Sequence, residues 1–129
     1  MPPLRFVLPL VLLGLAVAGC GGGTKTYSAA KTRACLVQHG RVVTDVPASD
    51  LVASAAEGGS FAVHFGTNTA IVSFGNDRNG AERVVRAYER FRGKNIGLLD
   101  VLHANRNAVV LWAIHPLDQH VRAIEDCLS

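Results

Sequence analysis

The stretch Phe61-Ala62-Val63-His64-Phe65-Gly66-Thr67-Asn68-Thr69-Ala70-Ile71-Val72-Ser73-Phe74 decides the fold. Its first residues alternate, Gly66-Thr67-Asn68 carries turn chemistry, and the return is rich in β-branched and aromatic side chains, which reads as a hairpin. A helix follows directly. Asn79-Gly80-Ala81-Glu82 places a glutamate three positions after a capping residue. Val84, Val85, Tyr88 and Phe91 then form one apolar stripe, and Gly93 ends it.

The same order recurs downstream. Val101-Leu102-His103-Ala104 and Ala108 to Ile114, joined by Asn105-Arg106-Asn107, read as a second hairpin. The last strand is apolar on both faces, so it belongs inside its sheet. Pro116 opens a final helix in which Leu117, Val121, Ile124 and Leu128 share a face. The two units align without a gap at an offset of 39, setting His64 on His103 and Asn68 on Asn107. A duplication and shared patterning both account for that match. Upstream, Ser28 caps a helix carrying Ala30, Ala34 and Val37, with Cys35 and Leu36 beside that face, and Gly40 stops it. Arg41 to Val46 reads as a strand and Ser49 to Ala56 as a short helix. The expected class is α+β: an antiparallel sheet of about five strands with about three helices packed on one face, and a repeated ββα unit.

Composition narrows the setting. With 129 residues there is room for one domain, and 49% hydrophobic against 18% charged residues excludes a disordered polar chain. A formal charge of +3 is too small for a strongly basic nucleic-acid binder. The longest uncharged apolar run, Phe6 to Gly19, is shorter than the roughly 20 residues a membrane-spanning helix needs.

That run has the layout of an export signal: Arg5, an apolar core from Phe6 to Ala16, then small residues. Val17-Ala18-Gly19-Cys20 resembles the lipobox of bacterial lipoproteins, with Val where Leu is commoner. The resemblance implies cleavage before Cys20, a thioether-linked diacylglycerol on its sulfur, and acylation of the new amino group. Two or three acyl chains hold a protein on a bilayer, whereas one binds marginally. Ala16-Val17-Ala18 also fits an ordinary secretory cleavage site, and a buried apolar helix is the third reading. The expected organisation is a signal peptide over 1–19, the lipidated Cys20 and a glycine-rich tether over 20–27, and a single α+β domain over 28–129. Beyond the lipobox the domain resembles no characterised family.

Cysteine count follows from that reading. With Cys20 lipidated, Cys35 and Cys127 are left as an even pair outside the cytosol, free to form a disulfide. Two buried free thiols are the alternative. The bridge would close a loop of roughly 90 residues, worth about 4.5 kcal/mol in the chain-entropy treatment.

Residues capable of chemistry are few. Of the five histidines, none forms a zincin pair, but His64 and His103 would converge as weak metal ligands if their hairpins adjoin, with Asp100 or His115 as third ligand. Ordinary strand and turn histidines are the alternative. Arg83, Arg86, Arg90 and Lys94 make a basic stripe on the helix face opposite Val84 and Tyr88. It suits anionic lipid headgroups, an acidic envelope polymer or a partner protein, or else it is a solvated face helped by a Glu82–Arg86 pair. Ser54, Ser60 and Ser73 lack a nucleophile elbow, and no glycine-rich phosphate loop is present. The expectation is a non-enzymatic domain without cofactor, lipid-anchored on the extracytoplasmic side of the cell membrane. It would bind or support another envelope component. The alternatives are a metal- or small-ligand-binding envelope protein and a small hydrolase or inhibitor.

Overall fold

The computed structural model describes residues 25–92 and 98–129; the lipobox with Cys20, and Lys94 of the basic stripe, lie outside them. In chain order the elements are α1 (Ala29–Gln38), β1 (Val42–Thr44), α2 (Leu51–Ser54), β2 (Ser60–Phe65), β3 (Asn68–Phe74) and α3 (Arg78–Arg92), then α4 (Leu98–Val101), β4 (Leu102–Asn105), β5 (Ala108–Trp112) and α5 (Asp118–Glu125). The fold is α+β, as expected. One antiparallel sheet runs β1-β2-β3-β5-β4.

Both anticipated hairpins form, each around a two-residue turn. Phe65 pairs with Asn68 across Gly66-Thr67, and Asn105 pairs with Ala108 across Arg106-Asn107. Gly66 and Arg106, at the first turn position, both have positive φ (60° and 54°). Matching the turns therefore sets the structural repeat at 40 residues, one more than the sequence offset of 39. A one-residue slip in a strand moves a side chain to the opposite face. Hence His64 and His103 are not equivalent: His64 shares a face with Ile71 and Leu111, His103 with Val110 and Trp112.

The helices do not share one face of the sheet. Phe61, Val63, Phe65, Ala70, Val72, Phe74, Ala108 and Trp112 look toward α1 and α5, where Leu36, Ile124 and Cys127 close the larger core. Val109, Leu111 and Ile71 look the other way, onto Ala81, Val84 and Tyr88 of α3 and Val52 of α2. The reason is in the strands. β3 and β5 are apolar at nearly every position, so both faces must be shielded from water. Each ββα unit thus exists in order, but its helix crosses to the opposite side from the other's.

Several local expectations shift. Ser28 does cap α1, its Oγ accepting the Lys31 N–H at 3.3 Å, and Gly40 (φ 76°) does end it. Its inward face, however, is Thr32 and Leu36; Ala30 and Ala34 are exposed, and Val37 is 55% exposed. Alanines contribute little apolar area, so the disulfide and Leu36 dictate the rotation of this helix. At α3 the cap is Asp77, two residues before the anticipated Asn79: its Oδ1 accepts the Gly80 N–H at 2.8 Å. A carboxylate accepts more strongly than an amide and suits the positive helix start. Val84 and Tyr88 are buried, but Phe91 is 71% exposed, at the rim of hollows it shares with Leu51 and Val52 of α2.

The loop between β3 and α3 is packed backbone to backbone. A Cβ added at Gly75 would lie 2.5 Å from the Ala81 nitrogen and the Gly80 carbonyl carbon, whereas one at Gly40 would meet nothing within 4 Å. Gly75→Ala is expected to lower unfolding free energy by about 3 kcal/mol. Gly40→Ala, strained by its dihedral alone, should lose about 1 kcal/mol. Urea titration followed by Trp112 fluorescence measures both.

Candidate functional site

The chain enters the domain at one end of the sheet, and one buried side chain, that of Asn107, holds its backbone there at Tyr27. Asn107, 2% exposed, accepts the Tyr27 N–H on Oδ1 at 2.6 Å and donates from Nδ2 to the Tyr27 carbonyl at 2.9 Å. The same Nδ2 donates to the Gly75 carbonyl at 2.9 Å, and the Asn107 carbonyl accepts the Gly75 N–H at 2.8 Å. One amide therefore gathers the incoming chain, the β3–α3 loop and the start of β5. An amide suits this because it carries two donors and an acceptor on one short stem. Next in line, the Ser28 N–H donates to the Ser129 oxygen at 2.6 Å, so the two ends of the domain meet at this pole.

Asn68, its counterpart at the sequence offset of 39, does the same work at the opposite end of the sheet. Its Oδ1 accepts the Ile114 N–H at 3.1 Å and its Nδ2 donates to the Ile114 carbonyl at 3.1 Å. The aligned asparagines thus share a role, although the strands beside them are shifted by one.

Around Asn107 lies a crevice of about 240 Å³ bordered by Lys25, Thr26, Asp77, Arg78, Asn79 and Arg106. Arg106 stands where the other hairpin has glycine, a left-handed conformation costing a non-glycine residue roughly 1–2 kcal/mol. Its guanidinium lies 5.2 Å from the centre of the Tyr27 ring, and Nη1 donates to the Lys25 carbonyl at 3.4 Å. Among the described residues, Lys25, Arg78 and Arg106 form no ion pair within 4 Å. Asp77, the acidic residue on the rim, spends an oxygen on its cap. Arg106 looked like an unremarkable turn residue in the sequence; the signal was a long cation at a hairpin position that favours glycine.

The second linkage is covalent. Cys35 and Cys127 form a disulfide, 92 positions apart with Cα atoms 5.4 Å from each other, joining α1 to the end of α5. The His39 Nδ1 lies beside it, 2.8 Å from the Cys35 carbonyl, 3.6 Å from Cys35 Sγ and 3.9 Å from Cys127 Sγ. With both cysteines reduced to thiolates, these two sulfurs and the His39 imidazole would suit a soft metal, but in the disulfide both sulfurs are committed.

The proposed histidine pair does not converge. β2 and β4 are separated by β3 and β5, about 14 Å at three strand spacings, and the two rings occupy opposite faces. His64 is held by hydroxyls on both neighbouring strands, Nε2 with Thr44 Oγ1 at 2.8 Å and Nδ1 with Thr69 Oγ1 at 3.3 Å. His103 donates from Nε2 to the Asp100 carbonyl at 3.1 Å, and His115 is exposed. The Ser73 hydroxyl is buried and has no hydrogen-bond partner among the described residues.

Within the basic stripe, Arg83 pairs with Glu57 at 3.3 Å and Arg86 with Glu82 at 3.8 Å, both exposed; Arg90 is exposed as well. Exposed pairs of this kind contribute little stability, but they cancel much of the stripe's local charge. Beside it, Leu51 of α2 (67% exposed) and Phe91 flank two shallow hollows of about 290 and 330 Å³ between α2 and α3. No helix among the described residues is long and apolar enough to cross a membrane. Comparison with protein-family models, curated proteins and solved structures returned no match.

Two substitutions test these linkages. Asn107→Ala strands the Gly75 and Tyr27 backbone groups and is expected to lower stability by about 3 kcal/mol. Asn107→Asp should fare no better, since it sets a carboxylate oxygen against two carbonyls. The double variant Cys35→Ser, Cys127→Ser should lose about 2–4 kcal/mol, read as the difference between oxidised wild type and variant in thermal or urea unfolding.

Proposed function

We propose that this chain is a lipid-anchored domain outside the cytoplasmic membrane, which binds or supports another envelope component without catalysing a reaction. The Val17-Ala18-Gly19-Cys20 motif supports the anchor. The observation that carries the reading is the disulfide: with Cys35 and Cys127 bonded to each other, Cys20 is the one remaining cysteine of three. A disulfide of this span belongs to an oxidising compartment, and a lipobox gives the odd sulfur a use. The domain begins within a few residues of Cys20, so it would sit close against the bilayer rather than reach far from it. Its partner would be an envelope protein or an anionic envelope polymer, met on surfaces away from the anchored pole; nucleic acid is not its ligand in this reading. The hollows between α2 and α3, with exposed Leu51 and Phe91, suit contact with a protein.

Intact mass spectrometry of the protein extracted from its own membranes tests the anchor. The expected mass is that of residues 20–129 plus a diacylglyceryl group and one further acyl chain, less two hydrogens for the disulfide. Cys20→Ser should move the protein from the detergent phase to the aqueous phase. A full-length, unmodified polypeptide with three reduced thiols would sink the reading.

A further inference from the structure

We infer that the pole at which the chain enters, formed by Lys25, Arg78 and Arg106, is the surface that faces the bilayer, and that it docks on the phosphates of anionic lipid headgroups. The inference rests on the lipid-anchor reading and adds an orientation to it. Three observations carry it. First, the chain outside the described residues ends here: Cys20 precedes Lys25 by five positions, a reach of at most about 18 Å. Asn107 holds Tyr27 through two hydrogen bonds, so that short reach starts from a fixed point. Second, three cations border one crevice with Asp77 as the sole acidic side chain lining it, and none of the three is in an ion pair among the described residues. Two arginines of the α3 stripe differ in this respect, since Arg83 and Arg86 each hold a glutamate.

Third, Arg106 occupies a strained position at which glycine would be easier. Strain of this kind persists where it serves a purpose. Here it projects a guanidinium over the Tyr27 ring at the rim of the crevice, an aromatic and a cation together as at membrane interfaces. Charges within a Debye length of an anionic surface add to lipid anchoring, and each removed cation is expected to weaken partition about fivefold.

The experiment uses the mature chain, residues 20–129, as Cys20→Ser, so that vesicle binding is read independently of whether Cys20 is acylated in the cell. It is co-floated with vesicles of phosphatidylglycerol and phosphatidylcholine (3:7) and with pure phosphatidylcholine, at 50 and 300 mM salt. Binding to the anionic vesicles alone, weakened by salt, is expected. Arg78→Glu with Arg106→Glu should abolish it, while Arg86→Glu with Arg90→Glu should leave most of it. Arg106→Gly separates docking from folding: it should unfold at the same or a higher temperature, yet bind vesicles about fivefold more weakly. Equal partition to both vesicle types overturns the proposal, as does partition unchanged by Arg106→Gly. Retention on a soluble polyanion such as polyglycerol phosphate without vesicle binding would also overturn it, assigning the pole to an envelope polymer. A mass spectrum lacking lipid on Cys20, beside intact vesicle binding, would remove the anchor and leave the docking surface standing.

Discussion

The carboxamide of Asn107 is the constraint on which the rest of this structure depends. It lies out of water with three backbone partners: the two polar groups of Tyr27 and the carbonyl of Gly75. Each would be costly to bury alone. Holding Tyr27 sets where α1 starts, and holding Gly75 sets where α3 starts, on the other face of the sheet. The tight backbone approach of Gly75 to Gly80 and Ala81 follows from that second contact. Asn68 closes the opposite end of the sheet in the same manner by binding Ile114, which positions the turn into α5.

Between these two amides the sheet is buried from both sides, but by unlike means. On one side Cys35 of α1 is cross-linked to Cys127, just beyond α5, so the two helices of that cover are tied to each other at one point. On the other, α3 and the single turn of α2 are held by side-chain packing and by the Tyr88 hydroxyl donating to Asp50 at 2.9 Å. This second layer is the narrower one. It leaves Leu51 and Phe91 in water. A small domain has little surplus core, which explains why one layer is secured by a covalent bond.

Much of the fold was legible residue by residue. Strand alternation around Gly66 and Asn105-Arg106-Asn107 located both hairpins, and Ser28 and Gly40 bounded α1 as read, because turns and caps are set by chemistry within a few positions. The inward face of α1 was misread for a physical reason: Ala30 and Ala34 satisfy a helical period but supply almost no driving force, while Leu36 and Cys35 supply nearly all of it. The Asn79 cap was displaced by Asp77 because the sequence offers two good acceptors in three residues, and the packing of Gly80 on Gly75 selects between them. The paired cysteines were legible through parity. The crevice at Arg106 was not, since Lys25, Arg78 and Arg106 lie far apart along the chain.

Local chemistry is enough, in this chain, to specify an antiparallel α+β domain with two hairpin–helix units and two cysteines suited to pairing. The alternation of strands and the placement of turn residues leave few other arrangements. Which side of the sheet each helix covers, which residue opposes which across strands, and which cations come together at the pole depend on contacts between distant segments. A one-residue difference in register, 40 rather than 39, separates His64 from His103 by a whole sheet thickness, and no reading of spacing along the chain contains that shift. It arises because both hairpin turns are two residues long, while Asn107 is the second residue of its turn and Asn68 is the first residue of β3, just after its turn.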